Sequence, residues 1–186
     1  MADIDIGAGA SNRAGTVSGG GYTDIDLNNA ANGTGTLTSV EIWAATDLAN
    51  CVVGTFYTSD YVTFTCRDSA TIGAVTAGSK QTFDVSGTPI TVQTGDYLGI
   101  YYTSGKLERD SSGYDGLYWY YGEAIDATDS ADFTFLAGDA LSIYATGTVS
   151  GSWSNISKLD GIAVANISKV DGCVVGNIAK ICGTAV

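Results

Sequence analysis

Acid–base chemistry in this chain would fall to carboxylates, because the sequence contains no histidine. That rules out Ser-His-Asp triads and histidine-ligated metal sites. No GxSxG elbow or phosphate-cradling glycine loop occurs either. What remains is a carboxylate pair of the kind that cleaves glycosidic bonds, drawn from Glu41, Glu108 and Glu123, the only glutamates. Glu41 alternates with Val40 and Ile42, which points it to solvent, and Glu108 lies in KLERD, read as a charged loop. The expectation is a protein without a catalytic site.

Binding chemistry has a better candidate. The segment 108–124, ERDSSGYDGLYWYYGEA, interleaves aromatics with acids. Tyr114, Tyr118, Trp119 and Tyr121, with Tyr120, offer rings that stack on sugars, and Asp110 and Asp115 offer hydrogen-bond acceptors. The competing reading is that alternate members of LYWYY fill a core while the others lie outside. Two acidic runs, TDID (23–26) and DATDSAD (126–132), present oxygen ligands suited to Ca²⁺. Neither has a recognised calcium-loop spacing, so no metal or cofactor is expected to be required. The four cysteines form two pairs in sequence, Cys51/Cys66 and Cys173/Cys182, without the CxxC spacing of zinc or redox sites. Cys51 and Cys66 flank an apparent hairpin and either face each other across it or lie as buried free thiols.

The elements that must position these residues read as strands. Charged residues are only 15% of the chain, and twenty-five glycines accompany a single proline, as suits short strands and tight turns. Alternating apolar and polar residues recur at 23–27, 37–44, 51–57, 61–66, 80–85, 90–92, 97–103, 117–121, 132–135 and 140–146. No window shows a helical period. The pattern predicts an all-β, antiparallel β-sandwich of jelly-roll type over residues 1–148. Strict alternation in 37–44 sets Val40 and Ile42 on one face and Glu41 with Trp43 on the other. Trp43 is therefore partly wet, or the strand is irregular there. Two segments echo each other, GDYLGIYYTSG (95–105) and GDALSIYATG (138–147), and read as one strand-starting turn used twice.

After a linker at 149–154 the texture changes. Three segments repeat with a period of eleven, NISKLDGIAVA, NISKVDGCVVG and NIAKICGTAV. Ile156, Ile167 and Ile178 match, as do Lys158, Lys169 and Lys180. Gly161, Gly172 and Gly183 match, and so do Val164, Val175 and Val186. A period of eleven can mark a right-handed helical supercoil, but a glycine and β-branched residues in every unit favour extended segments turning at each Gly. Each unit is too small to build a core alone. Residues 155–186 are thus expected to be an assembly tail, its isoleucines and valines packing on neighbours and its lysines meeting acidic surface or solvent.

Charge divides at the same place. Residues 1–150 carry five basic and eighteen acidic side chains, whereas 151–186 carry three Lys and two Asp. So acidic a body argues against nucleic acid as a partner. No apolar run approaches the length of a membrane span, so no membrane insertion is expected. The start, MADIDIGAGASNR, lacks the basic and apolar regions of a secretory signal, while the Thr/Tyr/Gly-rich, Lys-poor remainder looks extracellular. A virion protein made in the host cytoplasm and released by lysis reconciles the two, as does export by another route.

The repeat N-I-S-K-x-x-G-x-x-V resembles the C-terminal repeats of virion structural proteins of tailed bacteriophages, of head-fibre, decoration or tail-associated kinds. The stretches LTSVEIWAATDL, FTCRDSATIG and GDYLGIYYTSG look like jelly-roll domains of phage and bacterial sequences. The resemblance implies a capsid-decorating or fibre-like subunit in the virion, with other virion subunits as partners and a homo-oligomer, first a trimer, as its state. Two alternatives stand beside it: a carbohydrate-binding module that meets cell-surface glycan, and a self-assembling extracellular filament subunit.

Overall fold

The computed structural model describes residues 3–150, together with the backbone of six two-residue strands between 158 and 185. Every element among the described residues is a strand. Fourteen strands join in one antiparallel sheet built around an unusually long member, β4 (Gly35–Tyr57). The sequence stretches 37–44 and 51–57 are therefore one strand.

Along its first half β4 lies between β14 (Ile143–Val149) on one side and β6 (Lys80–Asp84) and β7 (Ile90–Val92) on the other. Along its second half it lies between β5 (Thr63–Val75) and β8 (Tyr97–Tyr102). The change of partners falls where β9 (Ser104–Asp110) meets Ala44, Thr46 and Ala49 with two register shifts. Bulges of this kind bend a strand and let it change pairing partners along its length. From β8 the sheet continues through β3 (Tyr22–Asp26) and β10 (Leu117–Tyr121) to the edge strand β12 (Thr134–Leu136). At the opposite end β1 (Asp3–Ile6) pairs with β14.

Two apolar clusters fill the interior. The larger is aliphatic, with Ile4, Ile6, Leu37, Ile42, Leu98 and Ile100 fully buried. The smaller is aromatic, with Phe64 stacked against Tyr118, Phe133 and Tyr97 at centroid distances of 4.7, 5.6 and 6.3 Å. Gly99 lies where Phe56 crosses β8, and a Cβ there would collide with the Phe56 ring.

Several expectations change. KLERD is not a loop: it belongs to β9, which also pairs β2 (Gly15–Thr16) and β13 (Ala140–Leu141). Glu108 is buried there and accepts the Arg13 N–H at 2.5 Å. The run 132–135 is two strands, β11 (Ser130–Asp132) on β5 and β12 on β10, with buried Phe133 at the break. Likewise 140–146 divides into β13 and β14 at buried Ser142, whose hydroxyl accepts the Ser11 N–H at 2.8 Å and donates to the Ser11 carbonyl. β14 runs on to Val149, and Ser150 N–H donates to the Thr34 carbonyl at 3.0 Å, so the body extends past 148. Cys51 lies opposite Gly73 and Cys66 opposite Phe56, so they do not face each other; both are buried free thiols. Between the two candidate states of Trp43, the register with β6 is regular and Trp43 is half-buried beside Glu41, which pairs with Lys80 at 3.0 Å.

The echoed Gly-Asp segments share a device the sequence only half revealed. Gly95 and Gly138 have φ of +90° and +84°, left-handed conformations suited to glycine. Each is followed by a buried aspartate that pairs with an arginine from elsewhere in the chain. Asp96 pairs with Arg67 and Asp139 with Arg109.

In the tail, Lys158 pairs with Ala163, Lys169 with Val174 and Lys180 with Ala185, forming three separate two-stranded antiparallel pairs. These are β15 (Lys158–Leu159) with β16 (Ile162–Ala163), β17 (Lys169–Val170) with β18 (Cys173–Val174), and β19 (Lys180–Ile181) with β20 (Thr184–Ala185). The other tail residues singled out (Ile156, Gly161, Val164, Ile167, Gly172, Val175, Ile178, Gly183 and Val186) and Cys182 lie outside the described residues.

Candidate functional site

One face of β3 and β10 presents the best-defined concavity. Trp119 lies directly opposite Asp24, Tyr121 opposite Tyr22, and Leu117 opposite Asp26. Opposed residues of an antiparallel pair point the same way, so two carboxylates (Asp24 and Asp26), an indole and two phenols share this face. Leu136, opposite Leu117, extends it onto β12. Arg109 arrives from β9, and Val17, Ser18 and Gly19 close the lining of a cavity of about 150 Å³.

Asp24 is the unusual member. It is 5% exposed, yet no hydrogen bond to its carboxylate occurs among the described residues. Burial pushes its pKa up to about 7, against a smaller downward pull from the Arg109 guanidinium. A buried carboxylate without hydrogen-bond donors is costly to ionise. Two residues on, Asp26 shows the contrasting case. It accepts Ala8 N–H at 2.8 Å and the Asn28 side-chain amide at 2.5 Å, and burial still raises it to about 6. Asp26 thus ties the N-terminal segment to β3.

Arg109 is held at one corner. Its Nη1 lies 2.8 Å from Asp139 Oδ2, an ion pair without hydrogen-bond geometry, since that oxygen and the buried Nε both have no hydrogen-bond partner among the described residues. Burial shifts Asp139 upward, opposed by the charge of Arg109. The cavity therefore brings together an acceptor, a cationic donor and an aromatic wall. Tyr22 packs edge-on against both Trp119 and Tyr121, at centroid distances of 5.9 and 5.1 Å.

The four aromatics of the candidate glycan platform are not assembled as one surface. Trp119 lines the cavity and Tyr121, 72% exposed, stands on the same face. Tyr118 is on the other face, buried in the aromatic cluster, because neighbours along a strand alternate. Tyr114 lies under the Arg13 guanidinium, 5.1 Å from ring centroid to Cζ. Of the proposed acceptors, Asp110 is engaged by Arg13 at 2.8 Å and by Ala14 N–H at 3.1 Å, which with its other contacts holds its pKa below the ordinary range. Asp115 is exposed.

The glutamates are committed elsewhere: Glu41 to Lys80, Glu108 to the Arg13 backbone, and Glu123 to Ile125 N–H at 2.8 Å. Of the acidic runs, TDID is strand with both aspartates buried, which is no calcium loop. From DATDSAD, Asp126 and Asp129 approach Glu123 with carboxylate oxygens within 4.8 Å of one another, while Asp132 accepts from Thr63. Such exposed acidic groupings are common on strand proteins and carry no further argument here.

Nothing local in the sequence marks Asp24, Arg109 and Tyr22 as partners of Trp119. Register between β3 and β10 sets Asp24 and Tyr22 beside Trp119, and Arg109 comes from β9, which pairs with neither strand, while acids alternating with apolar residues ordinarily signal a solvent face. Compared with protein-family profiles, with curated proteins and with solved structures, the chain matches none.

Proposed function

We propose that this protein is a non-enzymatic structural subunit of a larger assembly, a capsid-decorating or fibre-like virion component. Its body would be a jelly-roll-type sandwich, and its repeats would form the joint, with a homotrimer as the first expected state. The observation that supports this most is the tail: one two-residue strand pairing recurs at the same place in each eleven-residue unit. A lone two-stranded hairpin is marginal in water and gains stability only by packing on something larger. Repetition of the unit suits a symmetric interface. The virion setting rests on the sequence resemblance, and the absence of a histidine together with the engaged glutamates favours a role without catalysis.

The test is truncation after Ser150, which spares all of β14. The shortened chain should stay folded and monomeric while the full chain forms an oligomer, measured by light scattering after gel filtration. Normal assembly of the truncated chain refutes the reading.

A second reading, a carbohydrate-binding module, is favoured by the Trp119 cavity. The two are compatible, since decorating and fibre-like subunits can also bind.

A further inference from the structure

The buried carboxylate of Asp24 faces a cavity that no side chain fills. An acid two residues away on the same strand is answered by an amide and a backbone N–H, whereas Asp24 has neither. The Arg109 guanidinium lines the same cavity, and the Asp139 contact is to its Nη1 alone. The remaining wall is an indole edged by a phenol. At about 150 Å³ and open to solvent, the space admits no more than a single ring.

We propose that this cavity is the binding site for one neutral pyranose ring, such as the terminal residue of a glycan. Asp24 accepts from two adjacent ring hydroxyls, Arg109 donates to a hydroxyl or ring oxygen, and Trp119 covers the apolar face of the sugar. A neutral polyol suits the pair better than an anion, which Asp24 would repel, or a cation, which Arg109 would repel. Aromatic faces and C–H-rich sugar faces both gain by leaving water. The inference deepens the carbohydrate-binding reading and rests on it, while leaving the assembly role untouched.

The experiment uses the full chain and free methyl pyranosides (glucoside, galactoside, mannoside and N-acetylglucosaminide), followed by saturation-transfer NMR and by tryptophan fluorescence. At least one sugar should bind in the millimolar range. At pH 8.5, above the Asp24 midpoint, Asp24→Asn keeps the shape and removes an ionic acceptor, so its affinity should fall about tenfold or more, the usual scale for a charge-assisted hydrogen bond. Trp119→Phe should weaken binding less, and Tyr114→Ala, outside the cavity, should leave it unchanged. Binding that survives Asp24→Asn but is lost in Tyr114→Ala or Tyr121→Ala would overturn the cavity while sparing the glycan reading. No binding of any sugar by the wild-type chain would overturn both. Preferential binding of inorganic phosphate would also overturn the proposal, because it would assign the site to Arg109 alone. Should Trp119→Phe misfold, Leu136→Trp, which fills the cavity from the edge strand, should abolish binding in a folded protein.

Discussion

Two turns of nearly the same sequence, Gly95-Asp96 and Gly138-Asp139, do different things in this molecule. Each places a buried aspartate against an arginine after a left-handed glycine. Around Asp96 both carboxylate oxygens are answered. Arg67 grips it through Nε at 2.6 Å and Nη2 at 2.9 Å, Gln93 N–H donates to it at 2.7 Å, and the Tyr57 ring covers the guanidinium at 4.4 Å. Bidentate pairs of this kind are the strong ones. Around Asp139 the grip is a single contact, and Arg109 also lines the cavity that holds Asp24. One turn is a closed joint. The other shares its arginine with a space that has an acceptor and no donor of its own. Identical local chemistry therefore becomes structural or available depending on how fully the surrounding strands answer it.

The largest expected effect is at the closed joint. Asp96→Ala strands the Arg67 charge in a partly buried place and should cost about 3–5 kcal/mol, the scale for breaking a buried pair. Asp139→Ala should cost clearly less, because Arg109 can swing to Asp24. Urea unfolding of the two variants measures the difference, and equal losses would erase the distinction.

Next is a pH effect. Folding raises Asp24 to about 7 and Asp26 to about 6, both from an ordinary value of 3.8. The folded state thus holds protons that the unfolded state has released. Stability should be greatest near pH 4 and fall as pH rises through 6 and 7. Asp24→Asn removes that penalty. It should leave the melting temperature little changed at pH 4 and raise it at pH 8, by an amount worth a few kcal/mol at the order-of-magnitude level. A gain at pH 4 equal to that at pH 8 would show that Asp24 is not the titrating group.

A smaller effect concerns the thiols. Burial pushes Cys51 and Cys66 up to about 12, with nearby aspartates adding to the shift at Cys66. In the native protein neither should react with a thiol reagent at pH 8 on a timescale of minutes, whereas both should in urea, read by peptide mass mapping. Smallest of all, Lys80→Ala should change stability by less than about 1 kcal/mol, since the pair with Glu41 lies near the surface.

These regions also mark what could be read from the residues. The β class was legible because β7, β14 and the first half of β4 show alternation, with Val40 and Ile42 alternating with Glu41 and Trp43 as read. β9 escaped because SGKLERD has one aliphatic side chain, Leu107. Its other buried side chain, Glu108, is compensated by Arg13, ninety-five positions away along the chain. The doubled Gly-Asp turn was visible as a pattern, but its arginine partners were not, since ion pairing across a sheet leaves no local period. Of the candidate site, Trp119 was legible from its aromatic run. Asp24 was not legible as a site residue: TDID offers oxygen ligands without a calcium-loop spacing, and only strand register reveals that both faces of β3 are covered.

The most direct test of the account is the titration of the Asp24 side chain itself, followed by carboxyl ¹³C chemical shift in the intact protein without added sugar. The account predicts a midpoint near 7, well above the ordinary carboxylate range, assigned by its disappearance in Asp24→Asn. A midpoint near 4 would mean that Asp24 is solvated or fully paired, and would contradict the unanswered acid on which the site is built.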